Sequence, residues 1–139
     1  MTATRSGRPS RERRNRAAAV RAFERQEARG GIFEILHDEV AWTIDNGRTH
    51  TSQAGFLAKG AAPVMGRLAS TLVMTIRALW TDGDTMIIRF DGDVAAIDGA
   101  EYHNEYCRVW RPHGGRVARS HASMDIIAVQ ELIDHVEPG

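Results

Sequence analysis

One cysteine, Cys107, in 139 residues excludes an intramolecular disulfide, and with neither C-x-x-C nor H-E-x-x-H spacing present no metal site is expected. No apolar run approaches the roughly 20 residues that a bilayer-spanning helix requires, and no apolar segment follows the N-terminus. The expectation is a soluble, cytoplasmic chain with no membrane contact. Lysine is nearly lacking too: Lys59 stands alone among 18 basic residues, the rest being arginine. What is present is one domain's worth of chain, with 42% hydrophobic residues to fill one core.

A net charge of zero hides an asymmetry. Arg5, Arg8, Arg11, Arg13, Arg14 and Arg16 face only Glu12 within residues 1–16, which makes that segment basic and the remainder acidic. Residues 1–16 are expected to be a flexible basic arm and residues 17–139 the folded domain. The arm carries no interleaved aromatics on which bases stack, and an acidic body repels a phosphate backbone, so the charge pattern argues against a nucleic-acid partner.

Hydrophobic spacing predicts a helix from the Ser10 cap to Gly30-Gly31, then a short second helix with Ile32, Phe33, Ile35 and Leu36 as its stripe. Alternation of Val40, Trp42 and Ile44 predicts a strand over Glu39–Asp45, closed by the Asp45-Asn46-Gly47 turn. Ser52 is placed to cap a further helix running to Ala69, kinked by Gly60 and Pro63. Four long strands follow, Thr71–Thr81, Thr85–Ile97, Glu101–Arg111 and Arg116–Asp125, divided by Asp82-Gly83-Asp84, Asp98-Gly99 and Pro112-His113-Gly114-Gly115. A last helix spans Ile126–Val136. Helices followed by a meander give an α+β class, in which a strongly curved antiparallel sheet wraps the helices into a cone with a central cavity.

Period two places Tyr102, Asn104, Tyr106, Arg108 and Trp110 on one face of the third long strand and Glu101, His103 and Glu105 on the other. Carboxylates are harder to bury than tyrosines, so the first set is expected inside, where phenols, an amide and a guanidinium orient a carbonyl or carboxylate. On the last strand Ser120, Ala122 and Met124 share the inner face. Asp125, at its end, either caps the final helix or turns to the cavity mouth as a general base, and His121 is a second candidate for acid–base work.

Several stretches resemble the SnoaL-like, ketosteroid isomerase-related proteins of bacteria, within the nuclear transport factor 2-like superfamily: Leu36 to Thr43, Gly55-Phe56-Leu57 with Pro63, Asp98 to Tyr106, and Gly115-Arg116-Val117 running to Asp125. The resemblance implies a cone-shaped cavity protein, a homodimer joined through the outer sheet face, and Trp42 on the strand leading to the mouth. It also implies a cofactor-independent enzyme with an apolar small-molecule partner: an isomerase, cyclase or hydrolase acting by proton transfer on a carbonyl, polyketide or terpenoid-like compound. The alternative is a non-catalytic binding or assembly module. In the enzyme reading Asp125, Arg108 and His121 are catalytic, while Trp42, Tyr102, Asn104, Tyr106, Trp110 and Ser120 bind substrate. No relative's chemistry transfers intact. Phe23 falls where ketosteroid isomerases have a tyrosine, Ile44 or Asp45 where they have the base, and Arg108 or Cys107 where they have the protonated acid. The histidine-tryptophan-aspartate segment of SnoaL-like cyclases meets Ser120-His121-Ala122, and the strand of Arg108 lacks the two aspartates that flank the arginine of limonene epoxide hydrolases.

Overall fold

A computed structural model describes residues 2–26, 34–45 and 47–139. The first helix, α1 (Thr2–Gln26), begins well before the expected Ser10 cap. Its inner stripe, Ala19, Ala22 and Phe23, follows the three- and four-residue spacing that puts side chains on one helical face. Phe23 meets Phe90 edge-on at 4.8 Å and lies 6.1 Å from Trp110.

The second half of the basic segment packs on the sheet. Glu12 accepts from Thr81 Oγ1 at 3.1 Å and from the Gly83 amide at 3.2 Å, while Arg16 donates to the Leu79 carbonyl at 3.1 Å. Arg11 stands 3.6 Å from Asp84. A glutamate capturing a turn amide holds the helix where charge count alone predicts fraying.

Strand β1 (Leu36–Ile44) starts where a second helix was expected. Of that helix, Ile32 and Phe33 lie outside the described residues. Leu36 pairs with Val117, and the Val117 amide donates to the Ile35 carbonyl at 2.8 Å, so sheet pairing captures this apolar run as strand. A tight turn leads to β2 (Thr49–His50). Ser52 caps α2 (Gln53–Phe56), its hydroxyl accepting from the Gly55 amide at 3.0 Å. The expected kink is a π-helical turn over Leu57–Ala61, followed by α3 (Ala62–Met65) with Pro63 in its first turn, where the missing N–H costs nothing. This helix stops at Met65 rather than Ala69, because Leu68 bridges Ala96.

The remainder follows expectation within two residues at each boundary: β3 (Val73–Asp82), β4 (Thr85–Ala95), β5 (Glu101–His113), β6 (Arg116–Met124) and α4 (Ile126–His135). Gly83 and Gly99 take positive φ of 61° and 89° at two of the hairpins, a backbone region that side chains disfavour. The six strands lie in the order β2-β1-β6-β5-β4-β3, in a curved sheet that does not close. It is not wholly antiparallel as expected, since β1 runs parallel to β6. Trp42, Met86, Ile88, Phe90, Trp110 and Val117 are fully buried on the concave side and fill much of the cone.

Candidate functional site

On β5 the alternation is complete: Tyr102, Asn104, Tyr106, Arg108 and Trp110 are buried, and Glu101, His103 and Glu105 are exposed. The inward residues divide into a structural group and a chemical group.

The structural group is fully bonded. Asn104 Nδ2 donates to the Tyr102 hydroxyl at 2.9 Å and to the Asp125 carbonyl at 3.0 Å, and its Oδ1 accepts from the Asp125 amide at 2.8 Å. Its amide therefore pins the β6–α4 junction to β5 and is not offered to a substrate as expected. Trp110 Nε1 donates to Ser120 Oγ at 3.1 Å, which closes both polar groups inside the core rather than on a binding surface.

The two expected proton carriers lie elsewhere. Asp125 is exposed and acts as the N-cap of α4, its Oδ1 accepting from the amides of Ile127 and Ala128 at 3.0 and 3.2 Å. His121 is on the outer face with its Nε2 3.6 Å from Asp45, a carboxylate that also accepts from Ser123 Oγ at 2.8 Å. Neither side chain belongs to the interior group.

The chemical group centres on Arg108. Its guanidinium carbon lies 5.1, 5.3 and 5.0 Å from the ring centroids of Trp42, Phe90 and Tyr106, a three-sided aromatic cage. Nε and Nη1 are buried without a hydrogen-bond partner, and no carboxylate among the described residues forms an ion pair with it. Burial pulls its pKa down to about 10, against the opposing pull of Tyr106 and, more weakly, of Asp45. The group is therefore a cation at neutral pH, held by ring quadrupoles in place of a counter-ion.

Tyr106 supplies a second donor. Its hydroxyl is 3.0 Å from that of Tyr102. The Tyr102 oxygen also accepts from Asn104, so the two phenols and the amide form one chain of hydrogen bonds. Burial, reinforced by the neighbouring Tyr102, pushes the Tyr106 phenol well above its ordinary value, so it remains a donor at every working pH.

Sequence reasoning missed His50, Phe56 and Phe90. Trp42 stacks on Phe56 at 4.1 Å, and its own Nε1 is buried without a partner. His50 is the direct cross-strand partner of Trp42, lies 6.0 Å from Phe56 by ring centroids, and has a buried, unpartnered Nε2. Alternation across the Asp45-Asn46-Gly47 turn was the only signal available for His50. His50, Tyr106 and Arg108 keep 9%, 7% and 8% of their surface exposed, while Trp42 and Phe90 beside them keep 1% and 0%. Buried polar groups are ordinarily satisfied, and Trp42, His50 and Arg108 in this one aromatic cluster each hold a nitrogen that is not.

A family model for the SnoaL-like domain matches residues 11–120. Similar solved structures include an NTF2-like protein of unknown function from Burkholderia pseudomallei, 19% identical with a TM-score of 0.73, covering 86% of this chain and 97% of that one. TerC co-crystallised with polyporic acid is 22% identical with a TM-score of 0.71, covering 87% and 98%. A protein described as a SnoaL-like polyketide cyclase, from Jannaschia sp. CCS1, is 15% identical with a TM-score of 0.72, covering 89% and 94%. At these identities the likeness is one of fold. No curated protein matches the sequence.

Proposed function

The chain belongs to the SnoaL-like domain family, and from that premise we propose that its cone binds an apolar, flat small molecule through an anionic or strongly polarised oxygen held by Arg108 and Tyr106. One observation carries the reading: a buried guanidinium, caged by three rings, with no carboxylate partner. A buried cation without a counter-ion is costly, and an incoming carboxylate, enolate or enol oxygen supplies what the protein withholds. The surrounding rings suit aromatic or polyketide-like skeletons. The reaction class that fits is proton transfer next to a carbonyl, as in isomerisation or cyclisation, with Arg108 and Tyr106 meeting the negative charge that develops on oxygen.

A second reading, a binding module without catalysis, is favoured by one specific feature. Among the described residues Asp91 is the only buried carboxylate, and it is on the outer face, bonded to Arg77 at 2.8 Å. Among the described residues no fully buried carboxylate lines the interior.

Native mass spectrometry and thermal shift against aromatic hydroxyquinones, polyporic acid among them, and against cyclic ketones, terpenoids and steroids test the proposal. A ligand of the folded state raises its melting temperature by mass action. Binding by the wild type that disappears in Arg108→Met supports the oxygen-anion site, and recovery of a changed ligand supports catalysis. Hits that bind Arg108→Met equally well would refute it.

A further inference from the structure

If the interior moves a proton, one side chain in it is equipped to do so. Among the described residues the buried polar groups facing the cone are His50, Asn104, Arg108 and Ser120, with the phenols of Tyr102 and Tyr106, which serve as hydrogen-bonding groups. Asn104 and Ser120 do not titrate and are already bonded, and Arg108 does not release its proton at neutral pH. His50 alone can both accept and return one there.

We infer that His50 is the proton-transferring residue of this site, acting on a carbon next to the carbonyl whose oxygen Arg108 and Tyr106 hold; this rests on the carbonyl-binding reading above. Its position favours the task. Thr49–His50 forms a two-residue strand whose pairing sets His50 directly beside Trp42, and the Trp42 ring in turn covers Arg108. Trp42 thus links the acceptor residue to the oxygen-binding donors.

The π turn packs closely on that atom. A Cβ placed on Gly60 would stand 3.3 Å from His50 Nε2 and 2.7 Å from Phe56 Cδ1, so only glycine leaves both the ring and the nitrogen undisturbed. Such single-turn expansions recur at functional sites because they re-aim a helix locally.

The step balances without an oxidant or reductant. Nε2, carrying the lone pair in the tautomer with Nδ1 protonated, takes a proton from the α-carbon. The C–H electron pair becomes the C=C bond, and the carbonyl π pair moves to the oxygen facing Arg108 and Tyr106. The imidazolium then returns the proton to the same carbon or to one conjugated with it, which restores the enzyme.

The experiment follows hydrogen–deuterium exchange of β-tetralone in deuterated buffer by proton NMR, with β-naphthol as the binding probe for the enol-shaped ligand. Wild type should accelerate exchange about 100-fold over buffer, the scale of positioned general-base catalysis. His50→Gln should lose that acceleration while its affinity for β-naphthol changes less than about threefold, and free imidazole should restore exchange to His50→Ala. The imidazole rescue separates a missing base from a damaged fold. Acceleration that survives in folded His50→Gln, absence of rescue, or a wild type that binds β-naphthol without accelerating exchange would each overturn the assignment while leaving the oxygen-binding site intact. β-Naphthol binding that is unchanged in Arg108→Met would instead remove the reading beneath it.

Discussion

The two faces of β4 and β5 handle charge in opposite ways. Outside, Arg77 pairs with Asp91 at 2.8 Å, Arg89 with Glu105 at 3.2 Å and His103 with Asp93 at 2.6 Å, mostly on exposed side chains. Such pairs contribute little because water screens them. Inside, where a partner would matter far more, Arg108 has none. The proposed ligand would supply on the inner face the partner that the outer face finds in its own carboxylates.

That contrast breaks most visibly at Arg108 itself. Arg108→Met should weaken binding of an anionic aromatic ligand at least about 100-fold, the loss expected on removing a desolvated charge partner. Stability should barely move. Burial disfavours the cation, and its contacts with three rings, each about 1 kcal/mol or more, oppose that cost, so the two largely cancel when Met replaces Arg108. Thermal unfolding of the variant should therefore stay within about 1 kcal/mol of wild type, where breaking a buried ion pair would cost about 3–5 kcal/mol.

Asn104→Ala sharpens the division within the inner face. It leaves the Asp125 amide and carbonyl without their side-chain partner and should cost about 2–3 kcal/mol in chemical denaturation. A smaller effect is expected of Gly92→Ala, whose Cβ would lie 2.9 Å from both Tyr106 Cε2 and Leu72 Cδ2. It should displace the phenol and lower ligand affinity several-fold at a stability cost of about 1–2 kcal/mol, read by calorimetric titration and melting temperature.

The smallest effect belongs to the outer face. The hydrogen bond that His103 donates to Asp93, with that carboxylate's charge, raises the pKa of His103 above 6.5. The protonated ring is favoured in the folded state, so the pair's contribution is complete below 6.5 and fades as pH rises through the higher folded value. NMR titration should show that raised midpoint, and Asp93→Asn should return it to the ordinary range with almost no change in melting temperature.

Much of this contrast is legible in the amino-acid order. The period-two pattern of Tyr102 to Trp110 against Glu101, His103 and Glu105 is strong because burying glutamate is costly, and the glycine turns and the Asp125 cap act within a few residues. The parallel pairing of β1 with β6 joins segments some eighty residues apart and leaves no local trace. Leu36 fits helical and strand spacing equally, and only Val117 decides it. His50 sits in a strand too short to show a period, so the residue best placed for proton transfer carries the weakest local signal. The docking of Glu12 on the Thr81–Gly83 hairpin likewise exists only in three dimensions.

The central claim, that Arg108 is a cation left unpaired to receive a ligand's oxygen anion, is tested most directly by calorimetric titration of β-naphthoate and its uncharged amide into wild type and Arg108→Met. The account predicts that wild type prefers the carboxylate by at least about tenfold and that this preference vanishes in the variant while the fold persists. Equal affinity of wild type for the two compounds, or an undiminished preference in Arg108→Met, would contradict it.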